Sequence, residues 1–188
     1  SILQLSDALT AQNLETVQAE TLSQLINKYE EIFNQIVSLQ TEIGLDSESG
    51  LYGTLRSAVH DIETLSEEAG QHEILVHLLM LRRNEKDFML RRDMKYLTKF
   101  EQNYTKFINA LDEYEPYTIE EMTDKISRYR TDFKSLVDNE VILGLDEKSG
   151  LLAELRETVH STEESFDVLT EFVTSEIIKA TTLVYINL

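Results

Sequence analysis

At 188 residues, with one proline, six glycines and no tryptophan, the chain is long enough to bury a core and poorly supplied for a loop-rich or all-β fold. It has no cysteine, which excludes disulfides, thiolate metal sites and cysteine nucleophiles. A formal net charge of -18 repels phosphate backbones, so nucleic acid is not expected as a partner, nor is an anionic membrane through the whole surface.

In chain order, a short helix is expected first, ending at a break near residues 12–17. Helix then follows over 18–43, up to the turn Gly44-Leu-Asp-Ser-Glu-Ser-Gly-Leu51. Gly44 suits the left-handed position that closes a helix, and Asp46 or Ser49 can cap the next one. A long helix is expected over 51–91, with Gly53 and Gly70 as its only internal breaking residues. Asp93 is a reasonable N-cap for a fresh amphipathic run through Met94, Leu97, Phe100, Tyr104, Phe107 and Leu111. Glu115-Pro116-Tyr117-Thr118 ends that run, because the residue before proline avoids the helical region. Helices over 118–143 and 151–186 flank a second turn, Gly144-Leu-Asp-Glu-Lys-Ser-Gly-Leu151. The chain opens on Ser1 and closes on the apolar Thr182-Leu-Val-Tyr-Ile-Asn-Leu188, as expected of a piece of something longer; no run of ~18 apolar residues is present.

The two turns are one hundred residues apart, and the match extends on both sides without gaps. Tyr29, Phe33 and Val37 pair with Tyr129, Phe133 and Val137; Leu55, Arg56, Val59, His60 and Glu63 pair with Leu155, Arg156, Val159, His160 and Glu163. The chain is therefore read as all-α and internally duplicated. At ~1.5 Å per residue the segments 51–91 and 151–186 span ~60 Å, about twice their partners. This favours two stacked antiparallel four-helix bundles sharing two long helices, with the repeated turns at opposite ends. The expected bundles are 1–70 plus 170–188 and 71–169. The alternative is one long hairpin bundle without a waist.

Leu79-Met-Leu-Arg-Arg-Asn-Glu-Lys-Asp-Phe-Met-Leu-Arg91, with Asp93 and Tyr96, resembles the signature of the helical bimodular sensor domain of bacterial methyl-accepting chemotaxis proteins. Gly50-Leu-Tyr-Gly-Thr-Leu-Arg-Ser-Ala-Val-His-Asp-Ile-Glu63 is similar to another part of that family. The resemblance implies a periplasmic, extracytoplasmic domain flanked by two transmembrane helices in the inner membrane, with a signalling module beyond. It also implies a small organic acid as ligand, and such a domain would work as a homodimer. The same fold could serve a membrane histidine kinase, or act as a helical spacer without a small ligand.

Eight of the seventeen Lys and Arg residues fall between Arg82 and Lys106, a positive region in an acidic chain. The apolar stripe 74/75/78/81/89 turns Arg82, Glu85 and Arg92 toward the core and Arg83, Asp87 and Arg91 outward. A buried arginine costs several kcal/mol unless paired, so Arg82 needs Glu85, another partner or a ligand anion. If Asp93 and the second turn share a tip, then Arg82, Tyr104, Arg130 and Thr162 or Glu163 lie at one depth, ~15–20 Å below it. Arg82, Glu85, Arg92, Tyr104, Arg130, Thr162 and Glu163 are thus the candidate ligand residues, and the rival is a structural salt bridge of Arg82 with Glu163. The repeat maps Tyr104 to Gln4, Arg130 to Glu30 and Arg82 to Thr182, which assigns a single anion site to the second bundle.

His60 and His160 fall off the apolar stripe and are expected at the surface. Arg56 and Arg156 are expected to bond carbonyls of the turns. Glu157-x-x-His160 is half of a di-iron bundle motif without its second half. No phosphate loop or nucleophile elbow occurs, so no catalysis, metal or cofactor is expected.

Overall fold

The computed structural model describes residues 17–70, 72–112 and 116–186, with side chains throughout except at 116–119, 180 and 183–186. The helix expected before residue 12 and the break after it lie outside the described residues. Among those described the fold is all-α, with no strand. The helices are α1 (Val17–Ile43), α2 (Gly50–Glu68), α3 (His72–Arg91), α4 (Lys95–Leu111), α5 (Pro116–Leu143) and α6 (Gly150–Ile186). Pro116 stands at the first position of α5, where its missing N–H would be unpaired in any case.

The expected long helix 51–91 is two helices. Gly70 takes φ +67° and ends α2, with Ala69 N–H bonded to Leu65 O at 3.0 Å and Gly70 N–H to Glu67 O at 3.1 Å. A Cβ at Gly70 would meet nothing within 4 Å, so glycine serves there for its left-handed backbone rather than for close packing. The chain reverses at this point, and α3 runs back along α2.

Two compact units result: the described parts of Ser1–Gln35 with Ala153–Leu188, and Ile36–Leu152. These units divide the chain at other points than the bundles expected from the sequence. Within Ile36–Leu152, α2, α3, α4 and α5 pack in a ring, each against its two neighbours. Phe88, Phe100, Tyr129 and Phe133 are fully buried at its centre, and Phe133 lies 4.4 Å from Phe100 and 5.8 Å from Phe88 between ring centroids. Each such apolar side chain contributes about 1.5–3 kcal/mol by leaving water.

Both repeated turns belong to this unit, and they lie at the same end of it rather than at opposite ends. Tyr52, beside the first turn, feels the charges of Glu140 and Arg92, and Arg92 bonds Gly144 O in the second. The turns close by the same local bonds. Asp46 and Asp146 each accept a backbone N–H two residues on at 2.8 Å, while Ser49 and Ser149 accept the N–H of Asp46 and Asp146 at 3.1 and 3.2 Å. These side chains therefore order the loop; Ser49 occupies the N-cap position of α2 but makes no side-chain cap bond. Gly50 and Gly150 sit at φ +54° and +59°, and a Cβ on either would lie 2.4 or 2.5 Å from a carbonyl of the preceding helix.

In the other unit, Ala19 and Leu22 of α1 bury against Leu169 and Val173 of α6, and Lys28 pairs with Glu154 at 3.2 Å. In Ile36–Leu152 the corresponding pairing is α5 on α2, with Lys125 and Asp61 at 3.3 Å. Ile26, Tyr29, Phe33, Phe166, Ile177 and Ile178 remain exposed in the smaller unit.

Candidate functional site

Helical spacing puts Tyr52, Arg56, Val59 and Glu63 on one face of α2, and Arg82, Lys86 and Met89 on one face of α3. Because α3 folds back on α2, these faces meet along a cleft with two lobes. One lobe, of about 430 Å³, is lined by Glu48, Arg56, His60, Glu63 and Arg82. The other, of about 600 Å³, is lined by Tyr52, Leu55, Glu85, Lys86 and Met89. Arg56, Val59 and Arg82 line both.

Each cation of the cleft has an acidic neighbour. Arg82 Nη1 donates to Glu63 Oε1 at 2.9 Å, with both side chains about one-third exposed. Arg56 Nη1 lies 3.2 Å from Glu48 Oε1 at the surface, so it bonds a carboxylate of the turn rather than a carbonyl. Lys86 Nζ is 2.5 Å from Glu85 Oε1. Glu85 is buried and accepts a short hydrogen bond from the Tyr129 hydroxyl. Burial, then the Glu85 charge, push the Tyr129 hydroxyl well above its usual range, so it stays a donor.

The expected pocket does not form as one group. Arg82 and Glu85 line the α2–α3 cleft, whereas Tyr104 and Arg130 meet elsewhere. Tyr104 shares a hydrogen bond of 3.1 Å with Ser127, and its ring lies 4.7 Å beneath the Arg130 guanidinium. Arg130 Nε reaches both oxygens of Glu101, at 3.0 and 2.9 Å, and Nη2 reaches Oε2 at 2.7 Å. The Nε/Nη2 edge of Arg130 is thus already engaged by Glu101.

Arg92 does not face a pocket. It forms the α3–α4 corner at φ +51°, unusual for a residue with a Cβ, and its N–H bonds Phe88 O at 2.7 Å. Its side chain ties that corner to α5, with Nη1 3.4 Å from Gly144 O and Nη2 3.0 Å from Glu140 Oε2. Asp93 Oδ1 accepts Lys95 N–H at 2.9 Å, although Met94 takes the N-cap position.

Thr162 and Glu163 belong to the smaller unit, where their partners are local. Thr162 Oγ1 donates to Thr158 O at 2.7 Å, and Glu163 lies 3.5 Å from His160 Nδ1 in an exposed pair. The arginine–glutamate bridge anticipated for Arg82 exists, but with Glu63, the repeat equivalent of Glu163. Glu63 was visible in the sequence as that equivalent; the reversal at Gly70 is what brings it, rather than its copy, to Arg82. Tyr52, Arg56 and Lys86 are the other cleft residues that the helical projection of single segments left out.

His60 and His160 are exposed, and Arg83 and Arg91 flank Asp87 on the outer face of α3 at 3.9 and 3.4 Å. Among the described residues no group of three or more His, Asp or Glu side chains is placed to hold a metal ion, and no helix is long and apolar enough to cross a membrane. No family model matches the chain, and comparison with curated proteins and with solved structures finds no match either.

Proposed function

We propose that the chain is an internally duplicated, two-module sensor domain of a bacterial transmembrane chemoreceptor. In this reading it is extracytoplasmic, dimeric and without catalytic activity, and it binds a small organic acid in the α2–α3 cleft. The observation that carries the reading is the wall shared by both lobes: two arginines, Arg56 and Arg82, over an apolar floor in a chain of net charge -18. A carboxylate can take two parallel hydrogen bonds from a guanidinium, while Leu55, Val59 and Met89 shelter an aliphatic backbone. The resemblance of Leu79–Arg91 to the bimodular sensor signature supports the same reading. Binding favours one spacing of α2 against α3, a population shift between two packings that flanking membrane helices can transmit.

A second reading, a helical spacer without ligand, draws on one observation: every cation in the cleft already has an acidic neighbour. A thermal-shift screen of carboxylic acids, amino acids and purines on the wild-type chain and on Arg82→Ala separates the two. The sensor reading expects a carboxylic acid that raises the melting temperature of the wild type and not of the variant. Absence of any stabilising compound favours the spacer.

A further inference from the structure

Arg82 and Glu63 differ from Arg130 and Glu101, another arginine–glutamate pair of this unit, in one respect. Arg130 grips Glu101 through three contacts of 3.0 Å or less, which uses the guanidinium edge fully. Arg82 touches Glu63 through a single contact, Nη1 to Oε1 at 2.9 Å, and leaves the second parallel bond unmade. Both side chains keep about a third of their surface in water, and both line the 430 Å³ lobe. Glu63 can therefore leave Arg82 by a side-chain rotation and rehydrate. Glu85, one turn along α3, does not compete for Arg82, because Tyr129 and Lys86 hold it.

Nor does the repeat require this pair. Glu163 stands at the equivalent position and contacts His160 of its own helix. The Glu63–Arg82 contact is a property of the α2–α3 cleft alone.

We propose that Glu63 is a built-in competitor for the acid site. Its carboxylate occupies the arginine in the empty state, and an incoming small carboxylate displaces it by taking both guanidinium bonds. The exchange replaces one carboxylate with another, so the charge at Arg82 is conserved while the link between α2 and α3 is released. This gives the cleft its output as well as its selectivity: a ligand too weak to displace Glu63 binds nothing and moves nothing. The inference rests on the reading of this cleft as an acid site.

The test uses the whole chain with acetate and succinate as probes, followed by calorimetric titration. Glu63→Gln keeps the shape and removes the competing charge, and the tighter-binding probe is expected to gain about five- to tenfold in affinity. Glu63→Ala is expected to melt lower than the wild type and to be restored by the same probe, a rescue absent in Glu63→Ala/Arg82→Ala. Arg130→Ala serves as a control and leaves probe affinity unchanged. If Arg82→Ala abolishes binding but Glu63→Gln leaves affinity unchanged or lower, the acid site stands and the competitor is refuted. Equal binding by wild type and Arg82→Ala removes the acid site itself. Failure of both probes to bind even Glu63→Gln overturns both statements.

Discussion

Phe33 and Phe133 hold the same position in the two repeat copies, yet Phe133 is fully buried and Phe33 is 46% exposed. Phe133 is enclosed by Phe88 of α3 and Phe100 of α4, whereas Phe33 stacks on Tyr29, four residues back on its own helix. Tyr29 and Val37 are also exposed, at 39% and 47%, while Tyr129 and Val137 are at 0%. The same apolar stripe is therefore buried in one copy and exposed in the other, and Phe88 and Phe100 of the α3–α4 hairpin cover it where it is buried.

That contrast sets an ordered expectation for truncation. Phe133→Ala empties a site with aromatic walls on two sides and should lower unfolding free energy by about 3–5 kcal/mol. Phe33→Ala removes a half-exposed ring and should cost less than about 1 kcal/mol. Urea unfolding of the two variants measures both. Comparable losses would mean that the α1 stripe is covered in solution.

The glycines divide in the same way. Gly70→Ala meets open space and bears only the left-handed backbone cost, about 1–2 kcal/mol. Gly150→Ala bears that cost and also drives a Cβ to 2.5 Å from Ile142 O and 2.6 Å from Gly144 N. The turn must then open, so a loss on the order of 3 kcal/mol or more is expected. Thermal melts should rank wild type above Gly70→Ala above Gly150→Ala; a reversal of the last two would sink the steric account of the turn.

Tyr129→Phe tests the buried carboxylate. The substitution keeps the ring among Phe88, Phe100 and Phe133 but strips Glu85 of its hydroxyl donor, a loss of about 1–3 kcal/mol. Combining it with Glu85→Gln should cost less than the two single changes together, since the second change removes the charge that the first leaves stranded. A double-mutant cycle in denaturant gives the coupling, and strict additivity would mean that the hydroxyl and the carboxylate act independently.

Much of this was legible in the residues themselves. The all-α class, the two turns and four of the five breaks between the described helices follow from glycine and proline placement and apolar spacing, because those signals are local. The fold of 51–91 was not, although Gly70 was in plain view. A single glycine costs a helix only about 1 kcal/mol, and whether the chain turns there is decided by what α3 gains against α2 and α4. That tertiary gain moved the candidate site. Its place near the apolar stripe gives Arg82 a need for a partner, and Glu63 rather than Glu163 supplies it because α2 closes the ring of helices in this unit. Arg130 and Tyr104 were placed at a common depth with Arg82, but depth along a bundle does not say which neighbouring helix a side chain faces.

The Arg92–Glu140 contact gives the protein a pH signature. Glu140 is buried beside the second turn, and desolvation raises its carboxyl above the ordinary 4.5, with the Arg92 guanidinium opposing but not cancelling the effect. A carboxyl whose folded-state value is raised binds its proton more readily in the native state. The native chain therefore holds more proton than the unfolded one, and this group's contribution to stability is complete below pH 4.5 and lost as pH rises through the folded value. Glu140→Gln keeps the size of the side chain beside Arg92 and removes the titration. The stability of the variant relative to wild type should thus increase as pH rises from about 4.5 toward neutrality, then level off. Urea midpoints of the two proteins at pH 4.5, 5.5, 6.5 and 7.5 measure that difference. A relative stability that falls across that range would show that attraction to Arg92, and not burial, governs Glu140.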